Sequence, residues 1–126
     1  MPTLRIHHVN FHVAQPLLED MKTFYCDVMC LKPGFRPEFK QFGYWLYADA
    51  IPLVHLYEAV GSDVRQTGAT SVFDHVAFHC TDLHNVRTRL ERLGIPYKMV
   101  ELPHSAQVQI AVTDPAGHKL EFIVEP

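Results

Sequence analysis

Two stretches of this chain, HVNFHV at residues 8–13 and HVAFHC at residues 75–80, are near copies, and the order of elements after each of them repeats as well. The first sits in RIHHVNFHV and the second in VFDHVAFHC, both rich enough in Val, Ile and Phe to be strands. After the first, beyond the Ala14-Gln15-Pro16 turn, LLEDMKTFYCDVM places Leu17, Leu18, Met21, Phe24, Tyr25 and Val28 at helical spacing, and Lys32-Pro33-Gly34 stops the helix. GFRPEF, FGYWLYAD and IPLVHLYE come next as three extended stretches. After the second copy, DLHNVRTRLERLG predicts a helix with Asp82 as its cap and Gly94 past its end, and PYKMVEL, AQVQIAVTD and HKLEFIVE are the strands. Strand, helix and three strands used twice restrict the fold to α+β, with two tandem βαβββ modules. Helices on the outer face would leave the other face of the mixed sheets free to curve around a cavity. Each half is too short to bury a core alone, so a single domain over 1–126 is expected. Module one is 5–58, the linker is 59–72 within the Gly, Ser and Thr rich AVGSDVRQTGATS, and module two is 73–126.

Composition removes several function classes. With 126 residues, 48% hydrophobic and 20% charged, the chain is an ordinary globular domain, and it has no apolar run near the roughly 18 residues of a membrane span. The start, MPTLRIHH, lacks a secretory pattern, and Cys26, Cys30 and Cys80 are odd in number without a CxxC pair, so a reduced, cytoplasmic protein is expected. A formal charge of -3 with no Lys/Arg cluster argues against nucleic acid. Nine histidines are the feature that calls for an explanation.

Side-chain alternation supplies one. Residues two apart share a face of a strand. In the first strand His8, Asn10 and His12 oppose Val9, Phe11 and Val13; in the fifth, His75, Ala77 and His79 oppose Val76, Phe78 and Cys80. His55 and Tyr57 oppose Val54 and Leu56, Gln107 and Gln109 oppose Val108 and Ile110, and Glu121 opposes Leu120, Phe122 and Val124. His8 and His75 lie 67 positions apart and His55 and Glu121 lie 66 apart, so the repeat superposes four residues of metal-ligand type. Their matching registers point to a lined cavity rather than to a wet sheet face.

The doubled βαβββ order, the H-x-x-x-x-V opening of each half (with Cys80 replacing Val in the second) and the ending DPAGHKLEF resemble the vicinal oxygen chelate superfamily. That group includes glyoxalase I, extradiol ring-cleaving dioxygenases, fosfomycin-resistance thiol transferases, methylmalonyl-CoA epimerase and metal-free bleomycin-resistance proteins. The resemblance implies a metal-containing cavity with His8, His75 and Glu121 as ligands, often joined by the fourth-strand position, here His55. It also implies a small-molecule substrate, a homodimer, and a divalent metal. Two imidazoles and a carboxylate suit Fe(II), Mn(II), Ni(II) or Zn(II) and leave positions open for a substrate chelating through neighbouring oxygens. Extradiol dioxygenases carry a non-ligand His base at the position of His55, so Fe(II) and a dioxygenase-like site are the favoured reading. Those enzymes usually have Tyr ten residues before the Glu ligand; position 111 is Ala, and Tyr57 is the candidate replacement. The alternatives are a glyoxalase-like lyase or isomerase with His55 as fourth ligand, and a non-catalytic antibiotic-binding protein.

The remaining features read as structural. Asn10, His12, His79 and Gln109 are candidates for contacts to the ligands or the substrate. His7, His84 and His118 are assigned no role. Cys26 and Cys30 are expected as buried thiols, the aromatics of GFRPEFKQFGYWLY as core, and Arg36, Lys40 and Arg65 as solvated charges.

Overall fold

The structure, a computed structural model, describes residues 6–60, 75–103 and 105–125. The chain forms two compact units, Met1–Thr67 and Gly68–Pro126. Most of the expected linker lies outside the described residues. Unit one contains β1 (Val9–Val13), α1 (Leu17–Met29), β2 (Lys32–Gly34), β3 (Gly43–Ala48) and β4 (Ile51–Glu58). Unit two contains β5 (His75–Thr81), α2 (Leu83–Leu93), β6 (Lys98–Glu101), β7 (Val108–Thr113) and β8 (Lys119–Glu125). Each is a four-stranded mixed sheet, ordered β1-β4-β3-β2 in one and β5-β8-β7-β6 in the other, with the outer pair β1/β4 or β5/β8 parallel. This is the tandem βαβββ architecture of an α+β fold. Among the described residues no helix is long and apolar enough to cross a membrane.

Helix α1 forms where the pattern placed it. Leu18, Met21, Phe24, Tyr25 and Val28 are buried on one stripe, packed on β3 and β4 beside Leu46, Val54 and Leu56. Each fully buried Leu contributes roughly 1.5–3 kcal/mol relative to exposure. Glu19 and Asp20 meet the positive end of the helix dipole, and the helix stops at Cys30 in the left-handed region. Glu19 also accepts from the Tyr44 hydroxyl at 2.7 Å, tying α1 to β3. Helix α2 buries Val86 and Leu90; the Asp82 side chain accepts from the Asn85 N–H, and Gly94, at φ 69°, donates to the Glu91 carbonyl as a left-handed cap.

Several expectations are corrected. GFRPEF is not a strand: β2 is Lys32–Gly34, the segment read as a helix stop, because pairing with Trp45–Tyr47 captures it directly after the helix. The first strand begins at Val9, so His8 lies just before β1 rather than within it. The aromatic stretch is not core: Phe35, Phe39 and Phe42 are exposed, since residues 35–42 join no sheet. Cys26 is half-buried and Cys30 exposed. Arg36 is not a solvated charge; its guanidinium lies over the rings of Phe39 and Tyr57 and donates to the Gln41 carbonyl at 2.8 Å. Lys40 is exposed, and Arg65 lies outside the described residues.

Candidate metal centre

Sheet register carries the repeat into three dimensions. β1 pairs with β4 so that Asn10 stands opposite His55, and β5 pairs with β8 so that Ala77 stands opposite Glu121. His55 and Glu121 therefore hold equivalent places in the two sheets. Both are buried, at 4% and 6% exposure, and with Asp114 they are the buried polar residues among those described. A buried ionisable side chain is costly unless something holds it, and different partners hold each of these.

In unit one the His55 ring lies flat between two others. His8 stacks on one side with centroids 3.9 Å apart and Trp45 on the other at 4.2 Å. His55 Nε2 donates to the Pro52 carbonyl at 3.0 Å, and since a carbonyl can only accept, the lone pair is left on Nδ1. Burial, and after it the charge of His8, push the imidazole below the usual histidine range against the Pro52 bond; His7 and Arg36 add to the depression. His55 is thus a neutral, oriented acceptor. His8 is exposed, and its Nδ1 lies 2.8 Å from His7 Nδ1, giving His7 a contact at the site. Next along the strands, His12 stacks on Tyr57 at 5.3 Å, with Arg36 over the Tyr57 ring at 4.7 Å.

In unit two Glu121 is held at both oxygens. His75 Nε2 stands 3.2 Å from Oε1, Gln109 Nε2 donates to Oε2 at 3.0 Å, and Lys119 Nζ is 3.4 Å from Oε2. His79 pairs instead with Glu125 at 2.8 Å, where that bond and one from Gln107 hold the Glu125 carboxyl below the usual range. Of the further contacts expected, Gln109 reaches a candidate ligand, His12 stacks on the candidate Tyr57, and His79 pairs with Glu125.

The structure thus brings the four candidate ligands together as two pairs, His8 with His55 and His75 with Glu121. Among the described residues no three His, Cys, Asp or Glu side chains form a ready-made cluster. The pair in unit two nonetheless fits a metal. An imidazole nitrogen and a carboxylate oxygen are both donors that divalent metals take, and here they stand 3.2 Å apart. Gln109 and Lys119 engage the far oxygen, as groups that orient a ligating carboxylate do.

The model of the Glyoxalase/Bleomycin resistance protein/Dioxygenase superfamily matches residues 5–122. The chain belongs to that superfamily. Solved structures with the same fold include a glyoxalase family protein from Bacillus anthracis, at 19% identity and TM-score 0.75 over 100% of this chain and 98% of that one. A lactoylglutathione lyase from Agrobacterium tumefaciens gives 19% identity and TM-score 0.67 over 98% and 96%. A mutant of the fosfomycin resistance protein FosX from Listeria monocytogenes, complexed with Mn(II) and 1S,2S-dihydroxypropylphosphonic acid, gives 14% and 0.69 over 100% and 94%. Comparison with curated protein sequences gives no match.

Within the superfamily fold, the ending DPAGHKLEF has a structural explanation. Asp114 Oδ1 accepts from the backbone N–H of Ala116 at 3.0 Å and of His118 at 2.9 Å, while Oδ2 accepts from His118 Nδ1 at 2.9 Å. Gly117, at φ 91°, closes the turn. Asp114 thereby sets where β8 begins and so where Glu121 stands. His118, assigned no role from sequence, belongs to this network; the DP-x-G spacing was the available signal. The role of Trp45 depends on a cross-strand neighbour, and Pro52, on β4 with His55, acts through its backbone carbonyl, which carries no residue-type signal.

Proposed function

We propose that the chain is a divalent-metal-dependent enzyme acting on a small substrate that chelates through two neighbouring oxygens, with an extradiol-dioxygenase-like site. His8, His75 and Glu121 would hold the metal, with Fe(II) favoured over Ni(II), Mn(II) or Zn(II). The observation that carries this reading is the buried Glu121 carboxylate with His75 Nε2 at 3.2 Å from its Oε1. A bound metal would act as a Lewis acid, acidifying a chelated hydroxyl. His55 takes the released proton at Nδ1, because Nε2–H is committed to Pro52 and burial keeps the ring neutral. Trp45 and His8 hold that ring in plane. Tyr57, on the same face as His55, is assigned a hydrogen bond to the substrate, and Asn10, opposite His55 in register, faces the same space. The superfamily resemblance adds the expectation of a homodimer.

A second reading takes His55 as a fourth ligand, the arrangement expected of a lyase or isomerase: His55 adjoins His8, and one of the two stacked rings would turn so that their in-plane lone pairs meet. Metal content of protein purified anaerobically without chelator, followed by oxygen uptake with catechols, tests both. Near-stoichiometric iron and oxygen uptake support the dioxygenase, and His55→Ala should then keep its metal and lose turnover. Nickel, zinc or manganese without oxygen uptake, and metal lost in His55→Ala, support the lyase. A protein that binds no metal on titration refutes both and leaves a small-molecule binder.

A further inference from the structure

The register allows the two sheets to be laid against each other residue by residue. In unit one a cross-strand row runs Asn10, His55, Trp45, Gly34; in unit two the equivalent row runs Ala77, Glu121, Ala111, Lys98. Directly opposed residues point to one face. The second member of each row is the buried polar group, and the third differs most. Trp45 lies over His55 and fills the face beside it, whereas Ala111 offers only a methyl beside Glu121. The space left in unit two is a cavity of about 610 Å³, within the range of roughly 300–1,000 Å³ usual for small-molecule pockets.

The lining of this cavity defines a ligand. Pro96, Val100 and Ala111 are apolar, Lys98 and Lys119 are cationic, and Gln109 is the residue that orients Glu121. Glu121 already stands near Lys119, 3.4 Å away, while Lys98 lies on the far side of Ala111. Two strand spacings separate β6 from β8, about 10 Å. A molecule whose neighbouring oxygens met a metal held by Glu121, and whose negative group met Lys98, would span that gap with a ring-sized apolar body.

We infer that this cavity receives the non-chelating end of the substrate, that Ala111 makes room for it, and that Lys98 selects a small apolar molecule bearing a negatively charged group. The role of Glu121 here rests on the proposed metal-dependent reading; anion binding in the cavity does not require the metal.

The test is a titration of the full, isotope-labelled chain with benzoate and with its neutral counterpart benzyl alcohol, followed through backbone amide chemical shifts. Benzoate should shift the amides of Lys98, Val100, Gln109 and Ala111 saturably, and benzyl alcohol at equal concentration should not. Lys98→Gln, a change at an exposed position, should weaken benzoate binding at least fivefold, and Ala111→Phe should abolish it. No saturable shift, equal shifts with benzyl alcohol, or undiminished binding by Lys98→Gln overturns the inference. A parallel Mn(II) titration separates the two claims. If signals of His75 and Glu121 are not broadened, the ligand assignment fails while the benzoate result still stands or falls alone.

Discussion

Glu121 and His55 show how one sheet position serves two chemistries. Both occupy the same place beside a parallel first strand and both are buried, yet one is an anion flanked by donors and the other a neutral ring clamped between rings. The anion depends on its neighbours. Gln109→Ala should leave the fold intact and weaken metal binding by about 10–100-fold, because Oε2 loses the amide that orients it; Glu121→Ala should abolish binding, and metal titration of both variants checks the order. His55 has its pKa lowered chiefly by burial and next by His8. A base with a depressed pKa stays unprotonated as the pH falls through the usual histidine range. The acid limb of the pH–rate profile should therefore lie below the ordinary value of 6.5, and an acid limb above that value would exclude His55 as the base.

Turns and strand contacts place these side chains. Asp114→Ala removes acceptors from two backbone N–H groups and one imidazole in the β7–β8 turn, and should cost about 1–3 kcal/mol in chemical denaturation. Asp114→Asn, which keeps an acceptor, should cost less. The α1–β3 contact carries a pH signature. Burial first, and then the Glu19 carboxylate, push the Tyr44 hydroxyl up to about 12. Its folded pKa exceeds the ordinary value of 10, so the associated stability is complete below pH 10 and is lost as the pH rises through about 12. Spectrophotometric titration should show the Tyr44 hydroxyl titrating late, and Glu19→Gln should move it downward but not to 10, since burial remains. Both helices and the later strands were legible from sequence because apolar periodicity and caps are local signals. β2 was not: three residues carry no period, and Lys32–Gly34 becomes a strand only by pairing with β3.

For the chain as a unit, a metal bound by the native state and not by the unfolded one raises stability, by about 2.7 kcal/mol at one hundred times Kd. Chelator should therefore lower the Tm of metal-loaded protein and leave that of Glu121→Ala unchanged; equal shifts in both would place the metal elsewhere. The internal repeat and the alternation of faces were enough to specify two βαβββ modules and four residues of metal-ligand type at matching positions, because each is written in residue spacing along one strand; the superfamily, and the ligand roles expected of those four residues, came from the resemblance carried by the H-x-x-x-x-V openings and the DPAGHKLEF ending. Spacing along the chain cannot say which side chains meet across strands. The stacking of Trp45 on His55, the hold of Gln109 on Glu121 and the space beside Ala111 join residues brought together by sheet register, and the Arg36 guanidinium over Tyr57 depends on how the segment after β2 folds back on β4. Only tertiary structure sets those contacts, since they depend on which strands pair and in which register.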